Sequence, residues 1–304
     1  MIARRVAMDQ VRGIFRFLVA KLSAGEGVAL VTVTHVTGSS VRNPGAHMAV
    51  AANGAFVGSL SGGCLEAAVV SEAQEAICKG RVRRLYYGAG SPIIDIRLPC
   101  GGAVHLLVSP ITELAWCEEV LAAFARREEA HLALADSDGA VLHVRHAPPL
   151  RLAVLGYGAA ARSLAQLALN MGADLSLWSP DPELCDQWPG CANLLKTPKD
   201  RLSLIGDRWT AVSMLFHDHD WEAELLRQAL NQPTLLIGAM GSRATHAARV
   251  ALLAKRGVPE ADIRRIRAPV GLIHSSRDPD TLALSVLVEA VEAYNRAKPS
   301  QVVN

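Results

Sequence analysis

Leu152-Ala153-Val154-Leu155-Gly156-Tyr157-Gly158-Ala159-Ala160-Ala161 decides the fold of the second half of this 304-residue chain. Four apolar residues read as a buried strand, and a helix runs from the glycines to Met171 before Gly172 stops it. Asp174 to Trp178 follows as the next strand. A GxGxxA turn between strand and helix predicts a Rossmann-type unit on a parallel sheet, because the glycines permit a tight turn and close backbone approach to a phosphate. Dinucleotide binding is the weaker expectation. The acidic residue that would hold a ribose at the end of the second strand is replaced by Ser179, with Asp181 two positions late.

Strand–helix alternation continues to the C-terminus. Ala211 to Phe216 is a strand leading to His217-Asp218-His219-Asp220. Adjacent residues there point in opposite directions, so a cap on the helix from Trp221 to Leu230 suits an aspartate better than a metal does. Leu235 to Ile237 leads into Gly238-Ala239-Met240-Gly241-Ser242-Arg243 and a helix carrying Thr245, His246 and Arg249. This is either an anion cradle at a helix N-terminus or a plain connection with solvent-facing arginines. Asp278-Pro279 opens a final helix whose expected buried side is Leu282, Val286, Val288 and Val291. Pro180 to Arg208 carries no clear pattern.

The alternation starts only after His146-Ala147-Pro148-Pro149, where two prolines interrupt any strand or helix. The expected division is a domain over 1–146 and a second over 150–298. Together they form an α/β protein: an N-terminal mixed α+β domain, then a Rossmann-like parallel-sheet domain. In the first, Val11, Ile14, Phe15, Leu18 and Leu22 share one helical face, and Val28 to Val36 is a strand. Met48 to Ala51 and Ala55 to Leu60 form a hairpin, with Asn53-Gly54 suggesting a type I′ turn. Leu65 to Lys79 is a helix ended by Gly80. Val82 to Tyr87, Ile94 to Leu98 and Val104 to Val108 are strands, and Thr112 to Glu129 is a helix. A hairpin around Asp138-Gly139 ends near His143 and His146, read as a surface histidine pair.

Two stretches of the first domain invite chemistry. Gly62-Gly63-Cys64-Leu65-Glu66 and Cys100-Gly101-Gly102 each set a thiol beside paired glycines at the end of an apolar segment. Backbone N–H groups there can hold an anion and lower a thiol pKa, which suggests a pocket for an anionic or soft-metal ligand. The competing reading is two tight turns with small buried cysteines. Glu66, in the first helical turn, complements the helix dipole or meets a donor edge of a ligand.

Composition narrows the function classes. The 31 basic and 29 acidic residues leave a net charge of +2, which argues against a nucleic-acid footprint. The six cysteines show no CxxC spacing and read as reduced, hence a cytoplasmic protein. No apolar run approaches the roughly 20 residues of a membrane span, and charges interrupt any signal-like core at the N-terminus.

In order, the landmarks are Gly38-Ser39-Ser40-Val41-Arg42-Asn43-Pro44-Gly45-Ala46, the two cysteine turns, the Gly156 turn, His217-Asp218, Ile237 to Arg243 and Ala268-Pro269-Val270-Gly271-Leu272. This series resembles the XdhC/CoxI family, accessory proteins of molybdenum hydroxylases such as xanthine dehydrogenase, over nearly the whole chain. The resemblance implies a chaperone that binds the molybdenum cofactor (molybdopterin) while a cysteine desulfurase replaces an oxo ligand with sulfido. It also implies delivery to an apo molybdenum hydroxylase and, commonly, a homodimer. On this reading Arg42, Gly62, Gly63, Gly101 and Gly102 serve the phosphate, and Glu66 a pterin amine edge. Cys100, with Cys64, offers soft sulfur to molybdenum. Gly156, Gly158, Gly238, Gly241, Ser242 and Arg243 are the candidate binding positions of the second domain. Val41 stands where the family usually has proline, and Tyr157 and Ala159 where it often has a small residue and a histidine. Ile273-His274-Ser275-Ser276 replaces more common acidic and glycine positions. The competing functions are an NAD(P)-dependent oxidoreductase built on the Gly156 turn and a thiol enzyme with Cys100 as nucleophile.

Overall fold

The computed structural model describes all residues except 1–9, 40–41, 62, 64, 89–90, 92–101, 204–205, 275, 300 and 304, and the side chains of 10, 219 and 303 as well. It divides into two compact units, residues 10–148 with 298–303, and residues 149–297.

The first unit opens with α1 (Gln10–Ser23), then β1 (Val28–Thr37), β2 (His47–Ala51), β3 (Phe56–Gly58), α2 (Glu66–Lys79), β4 (Arg83–Tyr87) and β5 (Ala103–Ile111). These strands make an antiparallel sheet in the order β3-β2-β1-β5-β4. Strand periodicity sends alternate residues to opposite faces. Val31, Val33, Val50, Leu106 and Val108 pack with Val69 and Ala73 of α2, while Leu30, Ala49 and Leu107 pack with Ile14, Phe15 and Leu18 of α1. Each fully buried Val, Leu, Ile or Phe among them contributes roughly 1.5–3 kcal/mol. α3 (Leu114–Ala125) and the hairpin β6 (Ala130–Ala135) and β7 (Val141–His146) complete the α1 side.

Three local expectations change. The β2–β3 hairpin turns through three residues, not a type I′ pair: Gly54 N–H donates to Ala51 O at 2.9 Å, and Ala51 N–H to Ala55 O at 2.8 Å. Only Gly54 (φ 83°) is left-handed, while the Asn53 carboxamide accepts from Ala55 N–H, so a type I turn closes with a glycine bulge. α3 ends at Ala125, short of Glu129, because Arg127 takes φ 64° and Glu128 N–H reaches back to Ala123 O at 2.9 Å, a Schellman stop. His146 is buried instead of surface-exposed (3 % accessible). The expected strand at 94–98 lies outside the described residues.

The second unit runs β8 (Arg151–Gly156), α4 (Gly158–Met171), β9 (Asp174–Ser179), α5 (Pro182–Asp186), β10 (Ala192–Leu194), β11 (Thr210–Leu215), α6 (His219–Leu230), β12 (Leu236–Ala239), α7 (Arg243–Lys255), α8 (Glu260–Ile263), β13 (Ile266–Arg267) and α9 (Pro279–Ala297). Its sheet is parallel throughout, in the order β10-β9-β8-β11-β12-β13, the Rossmann-like architecture read from the glycine turn. The stretch from Pro180 to Arg208 holds a capped turn of helix and the edge strand β10. On α9 the buried stripe is Ala283, Val286, Leu287, Ala290 and Tyr294, and Val288 is exposed. The chain then returns to the first unit, where β14 (Val302–Val303) adds to β7.

Candidate functional site

Register in the five-stranded sheet gathers three loops at one edge. β1 ends at Thr37 opposite Ala103, the first residue of β5, and β4 ends at Tyr87 opposite Val104. β2 starts at His47 opposite Thr32, and β3 ends at Gly58 opposite Met48. The loops 38–46, 59–65 and 88–102 therefore leave the same edge, and they carry Arg42, the Gly62-Gly63-Cys64 turn and the Cys100-Gly101-Gly102 turn. Gly62, Cys64, Cys100 and Gly101 lie outside the described residues; Arg42, Gly63, Glu66 and Gly102 lie within them. Gly102 meets the first loop directly. A Cβ there would sit 2.4 Å from the Ser39 carbonyl oxygen and 2.9 Å from that of Thr37, a backbone approach that only glycine allows.

Glu66 organises the middle loop. Its Oε1 accepts from Ser59 Oγ at 2.8 Å and from the Leu60 and Ser61 N–H groups, both at 3.1 Å. Oε2 accepts from Ser61 Oγ at 2.7 Å and from the Gly63 and Leu65 N–H groups at 2.9 and 3.2 Å. Burial pushes the carboxyl pKa up, but the Ser61 and Ser59 donors outweigh it and hold it at about 2. Six donors exhaust the lone pairs of a carboxylate, so the ionised group closes its own turn. No side chain caps α2; the carboxylate of its first residue binds the N–H groups of the turn before it instead.

Behind this edge, Thr32 Oγ1 lies 2.9 Å from His47 Nδ1, and His47 Nε2 lies 2.8 Å from His146 Nε2. One ring donates and the other accepts, so the two are not both protonated. Burial, followed by the nearby Lys298, lowers the His146 pKa to about 4; burial and then His146 hold His47 well below its ordinary value.

In the second unit the parallel strands put Gly156, Ser179 and the β12 glycines at their C-terminal ends, where ligands enter open α/β sheets. Gly156 is required by β11, since a Cβ would lie 2.5 Å from Leu215 O. Gly158 (φ 78°) faces open space at the uncapped N-terminus of α4. Ser179 is buried and its Oγ accepts from Asp181 N–H; Asp181 itself caps α5 through Leu184 N–H. Gly238 makes room for Val270, and Gly241 for Thr245. Ser242 caps α7 by accepting from Thr245 N–H at 3.1 Å, and Arg243 is exposed.

Of the two arginines, Arg243 faces solvent, as the plain-connection reading has it, and Arg249 does not. It is 2 % exposed, and Nη2 donates to Glu222 Oε1 and to Met240 O, both at 2.7 Å, tying α7 to α6 and to the end of β12. Asp218 caps α6 by accepting from Asp220 N–H at 2.8 Å. Among the described residues no three His, Cys, Asp or Glu side chains gather as a metal site, and no helix is long and apolar enough to cross a membrane.

Two family models match separate stretches of the chain. Residues 22–88 match the model of the XdhC and CoxI family, and residues 152–290 match the XdhC Rossmann domain. The molybdenum cofactor insertion chaperone PaoD of Escherichia coli (strain K12) is 34 % identical over 296 residues, covering 92 % of this chain and 88 % of PaoD. The uncharacterised protein YqeB of the same organism is 26 % identical over 88 % of this chain and 44 % of its own length. A crystal structure described as a xanthine dehydrogenase from Bacillus halodurans superimposes with a TM-score of 0.75 at 22 % identity, over 93 % of this chain and 96 % of that one, a likeness of fold. With both halves matched in order and a relative at this identity along almost its whole length, the chain belongs to the XdhC/CoxI family.

Proposed function

We propose that this chain binds the molybdenum cofactor as cargo and delivers it to an apo molybdenum hydroxylase, without turnover of its own. The observation that carries the reading is that three glycine-bearing loops leave the same edge of one sheet. The cargo has a phosphate, a pterin with donor and acceptor edges, and a dithiolene-bound metal, and the loops supply groups for the phosphate and the metal. Arg42 and the N–H groups of the glycine turns suit the phosphate. Cys100, and Cys64 beside it in function, supply soft sulfur for molybdenum. Glu66 is a positioning residue, since its carboxylate is spent on the turn in which Cys64 lies by sequence. The similarity to PaoD, a molybdenum cofactor insertion chaperone, supports delivery. Exchange of oxo for sulfido by a cysteine desulfurase partner, self-association as a homodimer and action in the cytoplasm belong to the same proposal.

A second reading, an NAD(P)-dependent oxidoreductase, draws on the open space at Gly158 and the uncapped start of α4. Against it, Asp181 is engaged as a cap where a ribose would need a carboxylate. Purified protein mixed with molybdenum cofactor and passed through gel filtration separates the two. We expect about one cofactor retained per chain, loss of retention in Cys100→Ala, and no oxidation of NADH or NADPH. Nicotinamide turnover with no retained cofactor would reverse the assignment.

A further inference from the structure

The β1–β5 ladder holds strict register from Val28 opposite Ile111 to Val33 opposite Leu106, then skips, so that His35 faces His105. Thr34 is the extra residue of a β-bulge, and its hydroxyl donates to His105 O at 3.2 Å. Side chains alternate along a strand, so without the insertion His35 would share the face of Val33 and Val104, the core under α2. The bulge turns it to the opposite face, where His105 and Tyr86 already stand side by side in register.

The result is a file of rings across three strands. His35 and His105 have centroids 5.5 Å apart, and His105 and Tyr86 4.9 Å. Two strand spacings make the file roughly 10 Å long. Both imidazoles are exposed and Tyr86 is half-buried. The next pair toward the loop edge is Thr37 with Ala103, immediately before Gly102, and Ser91 Oγ fastens the third loop to Tyr86 O at 2.8 Å. Burial and the neighbouring His35 lower the His105 pKa, so its ring is uncharged at neutral pH. Arg84, further along the same face of β4, is engaged by Asp136 and Asp138.

A row of rings with hydrogen-bonding nitrogens is suited to a flat conjugated heterocycle. We propose that His35, His105 and Tyr86 seat the pterin ring of the cargo, with His105 as the central contact. The identity of the ring rests on the cofactor reading above.

Free neopterin, followed by its own fluorescence on titration with the full chain, tests the seat without molybdenum or a client enzyme. Wild type should bind saturably, and His35→Ala and His105→Ala should bind about tenfold more weakly. His131→Ala, at an exposed histidine of β6 outside the seat, should bind like wild type. No saturable binding by wild type, or equal binding by His105→Ala folded as judged by circular dichroism, overturns the proposal. Retention of intact cofactor by wild type and by His105→Ala alike also overturns it while leaving the chaperone reading standing. If wild type fails to retain cofactor, the chaperone reading falls, and the neopterin titration still decides the seat.

Discussion

At the strand ends of the six-stranded sheet, polar side chains are bound to their own fold. Asp181, Ser242 and Asp218 cap α5, α7 and α6, and Arg249 is buried against Glu222 and Met240 O. The uncapped start of α4 and the exposed Arg243 are exceptions. At the loop-bearing edge of the five-stranded sheet, one carboxylate, Glu66, closes one turn, while two imidazoles remain exposed beside it. Both edges carry glycine turns of similar sequence. What separates them is whether the neighbouring polar groups are already satisfied, and unsatisfied groups at a glycine-lined edge are where a ligand gains most.

The sharpest way to break this contrast is Arg249→Ala. It leaves Glu222 buried without its cation, and urea unfolding followed by tryptophan fluorescence should show a loss of about 3–5 kcal/mol. Cofactor retention by the folded fraction should be unchanged, and Glu222→Leu in the same chain should restore much of the stability. Loss of retention at full stability would mean that the second unit also binds cargo.

Glu66→Ala should cost less, about 3 kcal/mol, by orphaning the N–H groups of Leu60, Ser61, Gly63 and Leu65, and it should also weaken cofactor retention. Its pH signature is separable. The folded pKa of about 2 lies below the ordinary 4.5, so the unfolded chain binds more protons in between. The contribution is complete above roughly pH 5 and fades toward pH 2. Glu66→Gln should flatten that limb of the stability curve.

The smallest expected effect comes from the histidines behind the edge. An unfolded histidine titrates near 6.5 and folded His146 near 4, so the unfolded state again takes up protons first. Between pH 7 and 4.5 wild type should lose on the order of 2 kcal/mol more than His146→Gln, read from unfolding curves at the two pH values. Equal losses would show that the pair is not held neutral by the fold.

The Rossmann-like unit was legible because its signals are local: Gly156-Tyr157-Gly158 between an apolar run and a helix, and Gly172 as the stop. The antiparallel strands were legible from apolar runs bounded by turns. Long-range partnership was not. Nothing near Thr34 announces a bulge, because the extra residue is defined only by what stands opposite on β5. Arg249 reads as a helix-surface cation until β12 and α6 supply the acceptors that bury it. His146 reads as half of a surface pair until β2 brings His47 to within 2.8 Å. Of the candidate site, the glycine turns and Arg42 were visible as motifs, whereas the ring file of His35, His105 and Tyr86 exists only through pairing.

The return of residues 298–303 has a consequence for synthesis. Gly45, which closes the Arg42 loop, packs against Gln301, and β14 completes the sheet beside it. A ribosome has therefore made the whole second unit before the segment that braces this loop emerges. A nascent chain stalled anywhere earlier would carry the motif but lack its brace, so the loop gains this support only after translation has passed the last helix.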